Sequence, residues 1–278
     1  MKGSRRALLA ALALPGCSAA RLAEALTPTE GYVVRRDLAY GPLPRHRFDL
    51  YLPEGMRPDA PLVTFLHGGS WRSGSKDVYR FLGEAFASRG AATAVPNYRL
   101  FPEVRFPAFV EDAALAMAFL GGAPGLPGGR RVLAGHSAGA HIAMLATLDP
   151  RYRAGSGAAM PDAVVGIAGP YDFLPLRPGG FLASVFGGPD RRETQPITYA
   201  DRPGPPMLLL HGLEDRIVLP EQSERMAARR RAAGFRAEVI TYGSVGHIDI
   251  IGSLAAPIRP VAPRVLGDIM DFVAAPGR

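Results

Sequence analysis

Cysteine is nearly absent: Cys17 is the only one in 278 residues. A single thiol forms no intrachain disulfide and no cysteine metal cluster, and its place near the start leaves the folded part of the chain without a catalytic thiol. Lysine is almost as scarce. Only Lys2 and Lys76 occur, so arginine supplies nearly all the positive charge, a bias of composition that carries no function by itself. Internal repeats and low-complexity tracts are also missing. The net charge of +7 falls to +4 when Lys2, Arg5 and Arg6 are set aside, and acidic residues are interspersed throughout the remainder. Nucleic-acid binding needs basic residues gathered on one face with stacking aromatics between them. The densest run here, Arg229-Arg230-Arg231, lies instead in an alanine-rich helical pattern and reads as a solvated face. No nucleic-acid partner is expected.

What is present suits one large core. Hydrophobic residues make up 47% of the chain, which at this length supports a single domain. The first residues follow a separate logic. Three cations precede the apolar residues 7–14, long enough for the core of a signal peptide and too short to span a bilayer. Leu14-Pro15-Gly16-Cys17 resembles a bacterial lipobox, which would make Cys17 a lipidated first residue and attach the chain to a membrane; proline before the glycine departs from that pattern. Plain cleavage near Ala19-Ala20 and a misassigned start with an ordinary N-terminal helix are the alternatives, and Ser4-Arg5-Arg6 resembles a weak twin-arginine signal. The expectation is export to the periplasm, to a membrane as a lipoprotein, or outside the cell. Residues 1–26 then form leader and linker, and residues 27–278 the folded domain.

Along that domain, apolar runs alternate with helical periodicity. Strands are expected at residues 32–40, 47–52, 61–66, 91–95, 131–134, 163–168, 207–210 and 237–242. The second of these alternates polar with apolar and reads as half-buried. Helices are expected at residues 75–89, 107–120, 140–148, 219–233 and 260–274, with a glycine- and proline-rich loop at 121–129 and an irregular section at 169–206. Strands alternating with helices imply an α/β fold with a mostly parallel sheet covered on both faces.

Gly135-His136-Ser137-Ala138-Gly139 stands between the strand at 131–134 and the helix that follows. Glycines two before and two after the serine remove side chains that would clash where a strand reverses sharply into a helix, so the hydroxyl is left exposed at the turn. A nucleophilic serine needs a base and a group to orient it. Of the six histidines, His67 and His211 directly follow strands, His136 lies within the turn, His141 is one turn into the helix and His46 precedes a strand. His247 alone sits in a short loop after the last strand, at the carboxyl edge where Ser137 lies, and is the chosen base. Asp215, after the 207–210 strand, is the chosen acid; Glu214 and Asp249 are its competitors. His46 and His141 read as ordinary packed or solvated side chains.

These motifs resemble the α/β-hydrolase carboxylesterases, in particular the hormone-sensitive-lipase-like and feruloyl- or acetyl-esterase-like branches, from about Phe48 to Ala274. His67-Gly68-Gly69-Ser70-Trp71 is similar to that family's oxyanion loop, with Ser70 in place of a third glycine, and Asn97-Tyr98-Arg99-Leu100 to its segment after the next strand. Only a short polar stretch precedes the first strand, so the compact branch without a helical cap is the closer match. The resemblance implies a small-molecule ester as substrate, hydrolysis through an acyl-enzyme on Ser137, and no metal or organic cofactor. Backbone donors of Gly68, Gly69 and Ala138 would hold the oxyanion. Trp71, Phe173 and Leu174 are candidate substrate contacts, Trp71 being equally suited to pinning its loop. Residues 169–206 would cover the site as a short lid at most, which implies short to medium acyl chains. Arylformamidase-like amide hydrolysis is the rival within the fold, and a non-catalytic lipoprotein with a hydrolase fold the rival outside it.

Overall fold

The computed structural model describes residues 25–275, so Cys17 and the leader lie outside the described residues. Eight strands form one sheet: β1 (Tyr32–Ala39), β2 (Arg47–Pro53), β3 (Leu62–Leu66), β4 (Ala92–Pro96), β5 (Arg131–His136), β6 (Ala163–Ile167), β7 (Met207–Gly212) and β8 (Ala237–Tyr242). Their order is β1-β2-β4-β3-β5-β6-β7-β8. The first two pairings, β1 with β2 and β2 with β4, are antiparallel; all the others are parallel. The helices are α1 (Arg80–Ala87), α2 (Ala108–Gly122), α3 (Ala138–Leu148), α4 (Pro150–Ser156), α5 (Phe181–Phe186), α6 (Glu221–Ala232), α7 (Asp249–Gly252) and α8 (Val265–Ala274). This is the expected α/β-hydrolase architecture. None of the described helices is long and apolar enough to cross a membrane.

The strands are continuous apolar runs because both faces of the sheet are covered. Val63, Phe65, Val132, Ala134, Val165 and Leu208 point to one layer, where they meet Leu82 and Phe86 of α1 and Leu266 and Ile269 of α8. The intervening residues Leu133, Val164 and Leu209 point to the other, against Ile142 and Leu145 of α3, Phe109 of α2 and Met226 of α6. With period two, each strand serves two cores at once.

Several local expectations are corrected. The β2 strand is not half-buried: Asp49 and Tyr51, on the face read as solvated, are fully buried. Gly83 of α1 lies so close to Tyr51 that a Cβ there would fall 2.3 Å from the ring, and the Asp49 carboxylate takes Lys76 Nζ at 3.0 Å. Lys76 also pairs with Asp37 and Asp77, each at 2.7 Å, and its N–H is held by Asn97 Oδ1 at 2.8 Å. These bonds draw residues 76–78 into a separate 3-10 turn, so the expected 75–89 helix begins only at Arg80. Gly121 and Gly122 continue α2 instead of starting the loop, where a Cβ on either would meet nothing. The section 169–206 contains α5 and 3-10 turns at Arg192–Thr194 and Pro196–Tyr199; the final helix begins at Val265. The short helix α4, capped by the Asp149 carboxylate on the Arg151 N–H, was not anticipated.

Candidate active site

At the end of β5 the chain turns through Ser137, whose φ of 53° and ψ of −121° lie where side-chain-bearing residues are rarely found. Contacts on both sides impose this turn. A Cβ on Gly135 would lie 2.4 Å from the carbonyl of Gly139, and one on Gly139 would lie 2.0 Å from the Leu66 carbonyl oxygen. Glycine at these two positions therefore lets α3 start directly against β5 and the end of β3, while the Ser137 N–H is held by the Ile167 carbonyl at 2.9 Å. The serine Oγ emerges at the carboxyl edge of the sheet.

The loops after β7 and β8 meet it there. Ser137 Oγ donates to His247 Nε2 at 2.8 Å, and His247 Nδ1 donates to Asp215 Oδ2 at 2.6 Å. The structure thus brings together three residues chosen from sequence alone, separated by up to 110 positions. Asp215 is buried, and burial alone would raise its pKa. Hydrogen bonds from His211, His247 and the Val218 N–H outweigh that and hold the carboxyl below its usual range. Its Oδ1 accepts from the N–H groups of Ile217 and Val218, both at 2.9 Å, and His211 Nε2 lies 3.3 Å from Oδ2. An ionised, four-fold supported carboxylate fixes the His247 tautomer, leaving Nε2 bare to accept the serine proton. Its competitors are elsewhere: Glu214 is exposed, and Asp249 accepts from the Gly246 N–H at 2.9 Å.

The glycine loop after β3 lies against the turn, with the Gly68 Cα so near that an added Cβ would be 3.3 Å from the Ser137 Cβ. Here one expectation changes. The Gly68 N–H is given to the hydroxyl of Tyr79 at 3.3 Å. By contrast, the N–H groups of Gly69, Ser70 and Ala138 have no acceptor among the described residues. Gly69, Ser70 and Trp71 have successive φ values of 128°, 52° and 59°, a backbone in which the two non-glycine residues cost about 1–3 kcal/mol each. The loop is held in that state by Arg72 and Ser73 N–H groups on the Gly69 carbonyl and by the Phe101 N–H on the Trp71 carbonyl at 2.8 Å. Tyr98 supports it from beneath, stacking on His67 and donating to the His67 carbonyl at 2.7 Å. Neither Tyr79 nor Tyr98 was singled out by sequence reading, although Tyr98 lies in the noted Asn97-Tyr98-Arg99 segment.

Trp71 is buried, so it pins the loop and does not present its ring to the site. Its Nε1 donates to His141 Nδ1 at 3.3 Å, and His141 Nε2 donates to the Thr194 carbonyl at 2.8 Å. Phe173 is half-buried and stacks on Trp71 at 6.0 Å, with Phe186 behind both. Leu174 lines a depression with Asp172, Pro175, Arg192, Gln195 and Arg229, none of them a residue of the Ser-His-Asp group. The section 169–206 contributes Tyr171, Leu176, Val185, Phe186 and Ala200 to the core on the α3 side of the sheet, with Phe186 fully buried. His46 is buried on Asp112 at 3.0 Å, and His211, besides its approach to Asp215, accepts from Ser223 Oγ at 2.8 Å. Among the described residues, no group of three or more histidine, cysteine or acidic side chains is placed to hold a metal ion.

A serine turn, a histidine loop and an acidic loop at the carboxyl edge of an eight-stranded sheet define an α/β-hydrolase site of Ser-His-Asp type. The chain belongs to the BD-FAE family, whose model matches residues 48–229. It is 30% identical over 271 residues to the probable isoprenylcysteine alpha-carbonyl methylesterase ICMEL1 of Arabidopsis thaliana, covering 86% of this chain and 56% of that protein. To esterase LipC of Mycobacterium tuberculosis it is 33% identical over 248 residues, covering 80% and 59% respectively. The chain therefore spans little more than half the length of these relatives. Among solved structures, an esterase B from Lactobacillus rhamnosis inhibited by a tributyrin phosphonate superposes with a TM-score of 0.76 at 18% identity, over 98% of this chain and 95% of that one.

Proposed function

We propose that the protein hydrolyses carboxylic esters of short to medium acyl chains through an acyl-enzyme on Ser137. The observation that carries this is the unbroken chain of bonds from Ser137 to His247 to Asp215, set beside backbone donors that have no acceptor among the described residues. Ser137 Oγ attacks the ester carbonyl while His247 Nε2 takes its proton, and Asp215 stabilises the resulting imidazolium. The N–H groups of Gly69 and Ala138, joined by that of Ser70, stabilise the oxyanion; each such donor supplies about 3 kcal/mol to the transition state. His247 returns the proton to the departing alcohol, then activates the water that releases the acid. The half-buried Phe173, backed by Trp71 and Phe186, limits the room beside the glycine loop and favours small acyl groups.

The test is a series of p-nitrophenyl esters of rising chain length, run beside N-formylkynurenine on the parent and on Ser137→Ala. Highest kcat/KM on acetyl or butyryl esters, lost in Ser137→Ala, is the expected result. Dominant formamide cleavage, or faster turnover of long-chain emulsions, overturns the substrate assignment. Export and lipidation at Cys17 belong to the same proposal and rest on the leader's pattern of cations, apolar core and lipobox-like tetrapeptide. Mass spectrometry of the mature N-terminus decides between an acylated Cys17 and cleavage near Ala20.

A further inference from the structure

His247 lies in the loop between the end of β8 at Tyr242 and the start of α7 at Asp249, whereas Ser137 sits directly between β5 and α3. Its Nδ1 bond to Asp215 orients the ring, and the loop main chain is tied at Val245, whose carbonyl accepts from the Glu214 N–H at 3.0 Å, and at Gly246, whose N–H is given to Asp249 at 2.9 Å; none of these bonds refers His247 to the turn that carries Ser137. A further bond does so. His136, the residue immediately before the nucleophile, is buried, and its Nε2 lies 2.9 Å from the main-chain carbonyl oxygen of His247. A carbonyl only accepts, so the proton resides on His136 Nε2. On the other side of the ring, Gly68 approaches so closely that a Cβ there would fall 2.9 Å from His136 Nδ1.

We propose that His136 is a positioning residue that ties the backbone of the base His247 to the turn carrying Ser137, setting the distance across which the proton moves. This inference rests on the proposed Ser137-His247-Asp215 mechanism. Because His136 and Ser137 are consecutive and the Ser137 dihedrals are fixed by packing, nucleophile and base are both referred to one rigid dipeptide. The two imidazoles lie 4.9 Å apart between centroids. Burial, aided by the neighbouring His247, lowers the His136 pKa to about 3, so the ring remains a neutral Nε2–H donor while His247 gains and loses its proton. A loop shift of about 1 Å in such a pair costs up to about 10²-fold in rate.

The test compares His136→Phe, which keeps a ring and lacks the donor, with His136→Gln, whose amide reaches toward the same carbonyl. Expected is a fall in kcat of about 10- to 100-fold for the Phe variant with KM within about twofold, and recovery of most of that loss by Gln. Equal kcat in the two variants, or a raised KM at unchanged kcat, overturns the proposal. Should the Phe variant fail to fold, the parent decides: nitrogen-15 spectra of the histidine side chains must show His136 protonated at Nε2, and protonation at Nδ1 refutes the bond. Failure of the hydrolase reading looks different, because Ser137→Ala would then retain ester turnover.

Discussion

Three neutral histidines buried in the fold predict a steep loss of stability in mild acid. Burial lowers the pKa of His67 to about 4, and those of His136 and His141 to about 3, all three despite backbone hydrogen bonds that favour the charged ring. In the unfolded chain each ring titrates near 6.5. The sign follows: between pH 6.5 and 4 the unfolded state binds protons that the native state refuses, so stability is present above 6.5 and falls as pH falls. From pH 7 to pH 5 the linkage amounts to about 2 kcal/mol for each ring and about 6 kcal/mol for the three. Against a typical stability of about 5–15 kcal/mol, that is enough to bring the protein close to unfolding near pH 5. Urea titrations followed by circular dichroism at half-unit intervals between pH 7 and 5 measure it. A stability that stays constant over that range would refute the assignment of these rings as neutral and buried. Replacing His141 by Phe, which suits its surroundings of Trp71, Phe173 and Phe186, should reduce the pH-dependent loss to about 4 kcal/mol even as it lowers stability at pH 7.

Ser137→Ala should lower kcat by at least about 10⁴-fold with an unchanged melting temperature, read from ester turnover beside a thermal scan. Gly139→Ala places a methyl 2.0 Å from the Leu66 carbonyl oxygen and should cost more than about 3 kcal/mol or prevent soluble expression; a stable variant would show that α3 can move away from β3. The buried guanidinium of Arg230 stacks on Phe235 at 4.2 Å and donates to the carbonyls of Ala200, Arg202 and Pro205. Arg230→Met keeps the apolar stem but leaves these acceptors unpaired, so denaturant melts should show a loss of about 2–4 kcal/mol with kcat unaffected.

The parallel strands and the meeting of Ser137, His247 and Asp215 were legible because each is written locally: an apolar run bounded by a turn, a serine between two glycines, an acid and a histidine just past strand ends. Distances of 2.6 and 2.8 Å between residues so far apart in sequence then follow from strand order, since β5, β7 and β8 deliver their loops to one edge. Where backbone direction decides the outcome, sequence carried less. Nothing in His67-Gly68-Gly69-Ser70 says which N–H faces the serine; three successive positive φ values and the Tyr79 hydroxyl determine that, and they assign the Gly68 hydrogen elsewhere. Polar alternation in β2 was read correctly as a period and wrongly as exposure. The cover over Asp49 comes from Lys76, whose ion pairs join segments distant along the chain and also interrupt the helix pattern at 75–89. Short helices such as α4 and α5 escaped because six or seven residues are too few to establish a period.

Trp71 is the only tryptophan in the chain, and it stands in the glycine loop that lies against the Ser137 turn. All indole fluorescence of this protein therefore originates there. Enclosed by Phe173 and Phe186 and bonded to a neutral imidazole, the ring emits as a shielded chromophore, and any release of the loop transfers it to water and moves the emission to longer wavelength. The wavelength of that emission therefore reports, without a label, whether the loop beside Ser137 is in place.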